Sequence, residues 1–316
     1  MKKNIAITYG DPKGIGPEIL QKILESAELE KYATNINFAI YGNKQLFTNL
    51  FLSNVSFVDS SGFLSAEESG DPGHHSFKCL ERAIQDALLG QIQGLVTGPI
   101  SKHNWSEAGY NYKGQTELLG EKFNTSPEML FLGSKQLVKT NFQKHQWRIM
   151  LLTRHVALKE VSGLINLERL REASQILKKF LTEKCKIQNP RIALAGINPH
   201  AGEKGEIGRE EIDYLTDWCS QLGIEGPFSP DEIWYQSSQA YMKDLPQEFD
   251  AYLAPYHDQV LPLIKTVTNL SAVNTTIGLP ILRTSPDHGT AFGLVGKNLA
   301  DHKPFLEAIK TCVELV

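Results

Sequence analysis

Short apolar runs recur along this chain. Almost every one closes in glycine, proline or a polar group before a stretch with helical spacing begins. Residues 4–9, 36–41, 55–58, 147–153, 190–197 and 251–255 read as strands, as does the run opening at Gly94. Between them lie helical stripes: Phe77, Leu80, Ala83, Ile84, Ala87 and Leu88, then Leu167, Leu170, Ala173, Leu177 and Phe180 behind an Asn166 cap. Ile212, Leu215, Cys219 and Leu222 form a third, stopped by Gly223. Near-continuous apolar runs suit strands buried on both faces, and stripes every three to four residues suit amphipathic helices. Strands separated by helices imply a mostly parallel sheet with helices on both faces. With 316 residues, two domains or one large α/β domain are expected. Entry into a second lobe is read near Ser126-Pro127.

Composition narrows the partners. The chain is 41% hydrophobic and 22% charged with a formal net charge of −4, ordinary for a soluble globular protein. Neither nucleic acid nor an anionic membrane is expected, so an anionic substrate needs a local basic pocket. Cys79, Cys185, Cys219 and Cys312 lie far apart, which argues against a disulfide framework or a thiolate zinc site. The first residues hold two lysines but no apolar leader before Gly10 and Pro12, and no run approaches a membrane span. A cytoplasmic, reduced protein is the expectation.

Residues 250–290 carry the densest chemistry. The apolar run 251–255 delivers His257 and Asp258, and ligands in open α/β sheets sit at the carboxyl ends of strands. Lys265, Asn274 and Arg283 follow, read as lying on loops punctuated by glycine and proline. A cation, an amide and a guanidinium can clamp a phosphate or carboxylate. Each alone reads as a core or surface group; together they favour a site. The loop from Gly10 to Glu18 lacks the third glycine of the dinucleotide fingerprint and the Lys-Ser/Thr of a phosphate loop, so by itself it reads as a tight βα turn. Gln115 and Thr116 are expected near a helix N-terminus, a natural anion site, with Thr116 as a plain N-cap the alternative. The charged face of the helix behind Asn166 reads as solvated.

Of nine histidines, His155, His200 and His257 share one context: each follows an apolar strand as it closes. Neutral imidazoles ligate Zn²⁺ and other divalent ions, and three leave room for a substrate oxygen. Three unrelated histidines bonded to backbone are the alternative. His74, His75, His103, His145 and His302 sit in polar stretches and are expected at the surface.

Several motifs run in order along nearly the whole chain. They are Gly-Asp-Pro-Lys-Gly-Ile-Gly-Pro-Glu from Gly10, Leu-Val-Thr-Gly-Pro-Ile-Ser-Lys from Leu95, Gly-Gln-Thr-Glu from Gly114 and Leu-Leu-Thr-Arg-His from Leu151. Gly-Ile-Asn-Pro-His-Ala-Gly-Glu from Gly196, Tyr-His-Asp-Gln from Tyr256 and Leu-Arg-Thr-Ser-Pro-Asp-His-Gly-Thr-Ala from Leu282 complete the set. In these motifs the chain resembles the 4-hydroxythreonine-4-phosphate dehydrogenases of vitamin B6 synthesis. The resemblance implies an isocitrate/isopropylmalate dehydrogenase-like fold, a two-lobed α/β/α sandwich. The first lobe would hold residues 1–128 and 276–316, and the second, with metal and dimer-interface residues, 129–275. It further implies a homodimer with its active sites at the interface, NAD or NADP as cofactor, and a small phosphorylated hydroxy acid as substrate. His155, His200 and His257 would hold a divalent metal (zinc, with magnesium or cobalt as alternatives). Gln115, Thr116, Lys265, Asn274 and Arg283 would hold substrate and phosphate, and His288 and Gly289 would meet the nucleotide. The general base stays open among Lys102, Lys265 and Asp258.

One departure stands out: the family usually has histidine where this chain has Gln115. Glutamine exchanges hydrogen bonds but neither carries positive charge nor shuttles a proton. Three other readings follow: a sibling dehydrogenase for threonate or erythronate 4-phosphate, a phosphate acyltransferase of related architecture, and a paralogue that binds metal and ligand without turnover.

Overall fold

The computed structural model describes residues 2–48, 52–133 and 145–316. Among them eleven strands follow in chain order. The first six are β1 (Lys3–Thr8), β2 (Ile36–Gly42), β3 (Val55–Asp59), β4 (Gly94–Thr97), β5 (Glu128–Leu132) and β6 (Arg148–Leu151). The rest are β7 (Ile192–Ala195), β8 (Glu225–Phe228), β9 (Ala251–Ala254), β10 (Val273–Ile277) and β11 (Leu282–Pro286). The chain divides into two compact units, Met1–Pro127 with Val273–Val316, and Glu128–Ala272.

In the first unit the strand order is β3-β2-β1-β4-β11-β10. All neighbours are parallel except β10, which pairs antiparallel with β11. Ile5, Ala6 and Ile7 are wholly buried, as a strand covered on both faces requires. The Pro72–Leu88 helix packs Phe77, Leu80, Ala83 and Ile84 with Leu95, Trp105 and Leu118 into one core. In the second unit the order is β5-β6-β9-β7-β8, parallel but for β5 with β6. Its core gathers Trp147, Ile149, Trp234, Tyr241, Tyr252 and Val260. The architecture is α/β with mostly parallel strands, as the alternating pattern implied. No helix among the described residues is long and apolar enough to cross a membrane.

Four local readings change. Lys265 is not on a loop: it lies with His257 on the His257–Val267 helix, which accommodates Pro262 in its interior. Asn274 and Arg283 lie on β10 and β11, paired strands whose regular backbone fixes both side chains more firmly than a loop would. His75 and His145, expected at the surface, are 2% and 8% exposed. His75 sits on the inner face of its helix beside Tyr9 and Ser60, and His145 pairs with Asp244 at 2.8 Å. Finally, Arg169 is no solvated charge. It grips the buried Glu128 carboxylate with both terminal nitrogens and donates from Nε to the Leu152 carbonyl at 2.8 Å. A buried carboxylate needs such a partner.

Candidate active site

In the first unit, everything converges on Arg283. Its strand pairs with β4 on one side and β10 on the other, so the guanidinium lies between two threonine-bearing strands. Nε and Nη2 both donate to Thr97 Oγ1, at 3.0 and 2.7 Å. Nη1 donates to Thr276 Oγ1 at 3.0 Å, and Nη2 also reaches Gln115 Oε1 at 3.2 Å. Arg283 is 4% exposed, and burial pushes its pKa down to about 10, with Glu117 acting weakly the other way. It remains a cation at neutral pH. Its hydrogen-bond partners among the described residues are all neutral. A buried cation held only by hydroxyls and an amide is costly unless an anion completes it.

Gln115 opens the Gln115–Phe123 helix after Gly114, and no side chain caps that end, so Thr116 is the second helical residue rather than the N-cap. The Gln115 amide also donates from Nε2 to the Gly98 carbonyl at 2.9 Å. Asn274 Oδ1 is buried without a hydrogen-bond partner among the described residues, as a group awaiting a ligand would be. His288 Nε2 is in the same condition, while Nδ1 of that ring contacts the Gly289 carbonyl at 3.1 Å. The loop beyond is pinned by the Ile15 N–H, which donates to the Thr290 carbonyl at 3.0 Å. The glycine turn at residues 10–17 therefore steadies the loop that carries His288 and Gly289. Lys102 is exposed at the start of the Lys102–Glu107 helix.

In the second unit, β6, β9 and β7 are consecutive parallel neighbours. Their carboxyl ends share one edge, and each is followed there by one of the three histidines. Thr153 Oγ1 ties the first two ends together by donating to the Pro255 carbonyl at 2.7 Å. The loop after β7 is set by the buried Glu211, whose carboxylate accepts the Ile197 and Asn198 N–H groups at 2.8 Å each. His155 and His257 come together, with ring centroids 5.6 Å apart. Ligating nitrogens stand about 2 Å from a zinc ion, so two rings on one tetrahedral ion have centroids roughly 5 Å apart. The pair fits a shared ion. His200 faces carboxylates instead: Nδ1 meets Glu203 at 2.9 Å and Nε2 lies 3.8 Å from Asp231. That hydrogen bond to Glu203 raises its pKa. Among the described residues no three His, Cys, Asp or Glu side chains gather as a ready ion cage. His257 Nδ1 bonds Asp258 at 2.8 Å, the orienting contact that metal-binding histidines commonly make. His155 and His200 adopt left-handed backbone, φ 45° and 53°, an uncommon conformation for non-glycine residues that several turn residues of this chain share.

Comparison with known proteins supplies the family. The model for "Pyridoxal phosphate biosynthetic protein PdxA" matches residues 5–312. The chain belongs to the PdxA family. It is 38% identical to the 4-hydroxythreonine-4-phosphate dehydrogenase of Thermosynechococcus vestitus, across 97% of this chain and 95% of that protein. The Nostoc enzyme of the same name is 35% identical, across 100% and 93%. The crystal structure of the Klebsiella pneumoniae 4-hydroxythreonine-4-phosphate dehydrogenase superposes with a TM-score of 0.80 at 28% identity, covering 100% and 98%. This PdxA member is thus a dehydrogenase, and its family implies a nicotinamide cofactor. Thr97 and Thr276 were missed in the sequence because a threonine in an apolar strand reads as ordinary strand filler. With Arg283 read as lying on a loop, nothing in the sequence called for acceptors on a neighbouring strand.

Proposed function

We propose that this protein, in the cytoplasm, oxidises 4-phosphooxy-L-threonine with NAD⁺ or NADP⁺ to a 3-oxo acid that decarboxylates to 3-amino-2-oxopropyl phosphate, within pyridoxal phosphate synthesis. The observation that carries the reading is Arg283: a buried cation whose hydrogen-bond partners among the described residues are all neutral, in a chain whose relatives act, by name, on a phosphorylated substrate. Arg283 and Lys265 neutralise the phosphate. The Asn274 amide, Gln115 and Thr116 fix the remaining polar groups, which sets which carbon faces the nicotinamide. His288 and Gly289 receive the nucleotide. His155, His200 and His257 hold a divalent ion in a homodimer whose sites lie at the subunit interface; His200 turns from its carboxylates to do so.

When bound, such an ion supplies Lewis acidity towards the substrate's hydroxyl and carbonyl oxygens. The substrate gives up hydride from its secondary carbinol carbon and a proton from the hydroxyl on it. The resulting 3-oxo acid loses CO₂. Asp258 keeps His257 in the tautomer that presents Nε2. The test is reduced-nicotinamide absorbance from purified, zinc-supplemented protein given 4-phosphooxy-threonine beside threonate 4-phosphate. Turnover of the amino acid is expected. Turnover of the sugar acid alone would reassign the substrate, and silence with both would remove the dehydrogenase reading.

A further inference from the structure

Gln115 uses its amide in one orientation only. A carbonyl accepts from Nε2 and a guanidinium donates to Oε1; the flipped amide would set its oxygen against the Gly98 carbonyl and its NH₂ against a cation. Gln115 is 9% exposed, so both contacts are sheltered from water. Thr97, wholly buried on β4, accepts two of the arginine's donors with one oxygen. The two residues thus hold Arg283 from two sides without adding charge. A carboxylate in either place would hold it as well, and would cancel the charge.

We propose that Gln115 and Thr97 are positioning residues that act through Arg283: their neutral acceptors fix the guanidinium without pairing its charge, which is left for the phosphate of the substrate. This rests on the reading of Arg283 as the phosphate grip. It makes affinity for the anion depend on residues that need not touch it. It also means that stability and binding pull in opposite directions at position 115, because a buried cation hydrogen-bonded only to neutral groups, with Glu117 acting weakly on it, is a stability cost borne for binding.

The decisive variant is Gln115→Glu, with inorganic phosphate as a competitive probe beside the phosphorylated substrate. A carboxylate there pairs with Arg283, so the phosphate inhibition constant and the substrate KM rise roughly 30-fold or more, the scale of a charge-assisted bidentate contact. The nicotinamide KM stays within about two-fold. The Tm is unchanged or raised, by about 2–4 °C. Thr97→Val raises the same constants and Thr97→Ser restores them. A Gln115→Glu enzyme with lowered Tm and both KM values raised together would show a merely structural glutamine and overturn the proposal. Phosphate inhibition unchanged in Gln115→Glu but weakened in Arg283→Lys would also overturn it, leaving the phosphate grip intact. Phosphate inhibition unchanged in Arg283→Lys as well would remove the grip itself.

Discussion

Two regions of this molecule handle charge in opposite ways. Around Arg283 the cation is 4% exposed, and four hydrogen bonds from three elements fix it before any ligand arrives. At the edge formed by β6, β9 and β7, His155 and His200 are exposed on left-handed backbone, and His200 is turned to Glu203 and Asp231. The first region is fixed before any ligand arrives, and on the function proposed above only an anion is left to complete it. The second holds the donors at neighbouring strand ends but leaves their final arrangement to what binds. A tetrahedral phosphate calls for fixed donors of matching geometry. A divalent ion can itself draw imidazoles into place, and its binding energy covers the rearrangement.

The largest effect expected from breaking this contrast comes from the histidine edge. His200→Ala should lower kcat by roughly a thousand-fold or more, since a Lewis acid contributes several kcal/mol to the transition state. Metal content by atomic absorption should fall with it, while inhibition by inorganic phosphate stays at the wild-type value. A chelator should reproduce the same split in the unmutated protein. Retained turnover in metal-free protein would dissolve the histidine site; loss of phosphate inhibition on chelation would show that the two regions are not independent.

Next in size is Arg283→Lys. Lysine keeps the charge but not the fork, so it can engage at most part of what Thr97, Thr276 and Gln115 now hold. KM for the phosphorylated substrate should rise about 10- to 100-fold, or roughly 1.4–2.8 kcal/mol, with metal content unchanged. Steady-state kinetics with substrate and nicotinamide varied separately would decide it. Equal rises in both KM values would mean that the substitution loosened the unit instead of the grip.

The two regions also differed in how far they could be read from the chain. The histidine edge was visible because each strand is buried on both faces, which writes it as an apolar run with its polar residue at the end; Ala251, Leu253 and Ala254 are all wholly buried just before His257. What pairs with Arg283 was invisible. Thr97 and Gln115 lie 186 and 168 residues away in sequence, and only strand order brings them near. The same limit hid the Arg169–Glu128 pair, 41 residues apart, since an arginine on a charged helical face reads as solvated. Local pattern predicts what an element is and which face it buries. It does not say which polar side chain a neighbouring strand will meet.

The last contrast bears on stability instead of binding, has no effect on binding at neutral pH, and concerns a histidine of the opposite kind. His75 is 2% exposed between Tyr9 and Ser60, and burial lowers its pKa from 6.5 to about 4, so the folded protein keeps it neutral. The unfolded chain, with the ordinary value, binds a proton as pH falls through 6.5. Between pH 6.5 and about 4 the unfolded state therefore holds more protons than the folded one, and stability must fall as the medium becomes more acid. The loss is complete below about pH 4 and amounts to roughly 3 kcal/mol for this single group. Above pH 6.5 both states are neutral at this position and it contributes no slope. Urea denaturation at several pH values should show that decline, and His75→Gln, which cannot titrate, should flatten it while costing some stability at pH 7. An unaltered slope in the variant would place the acid sensitivity elsewhere.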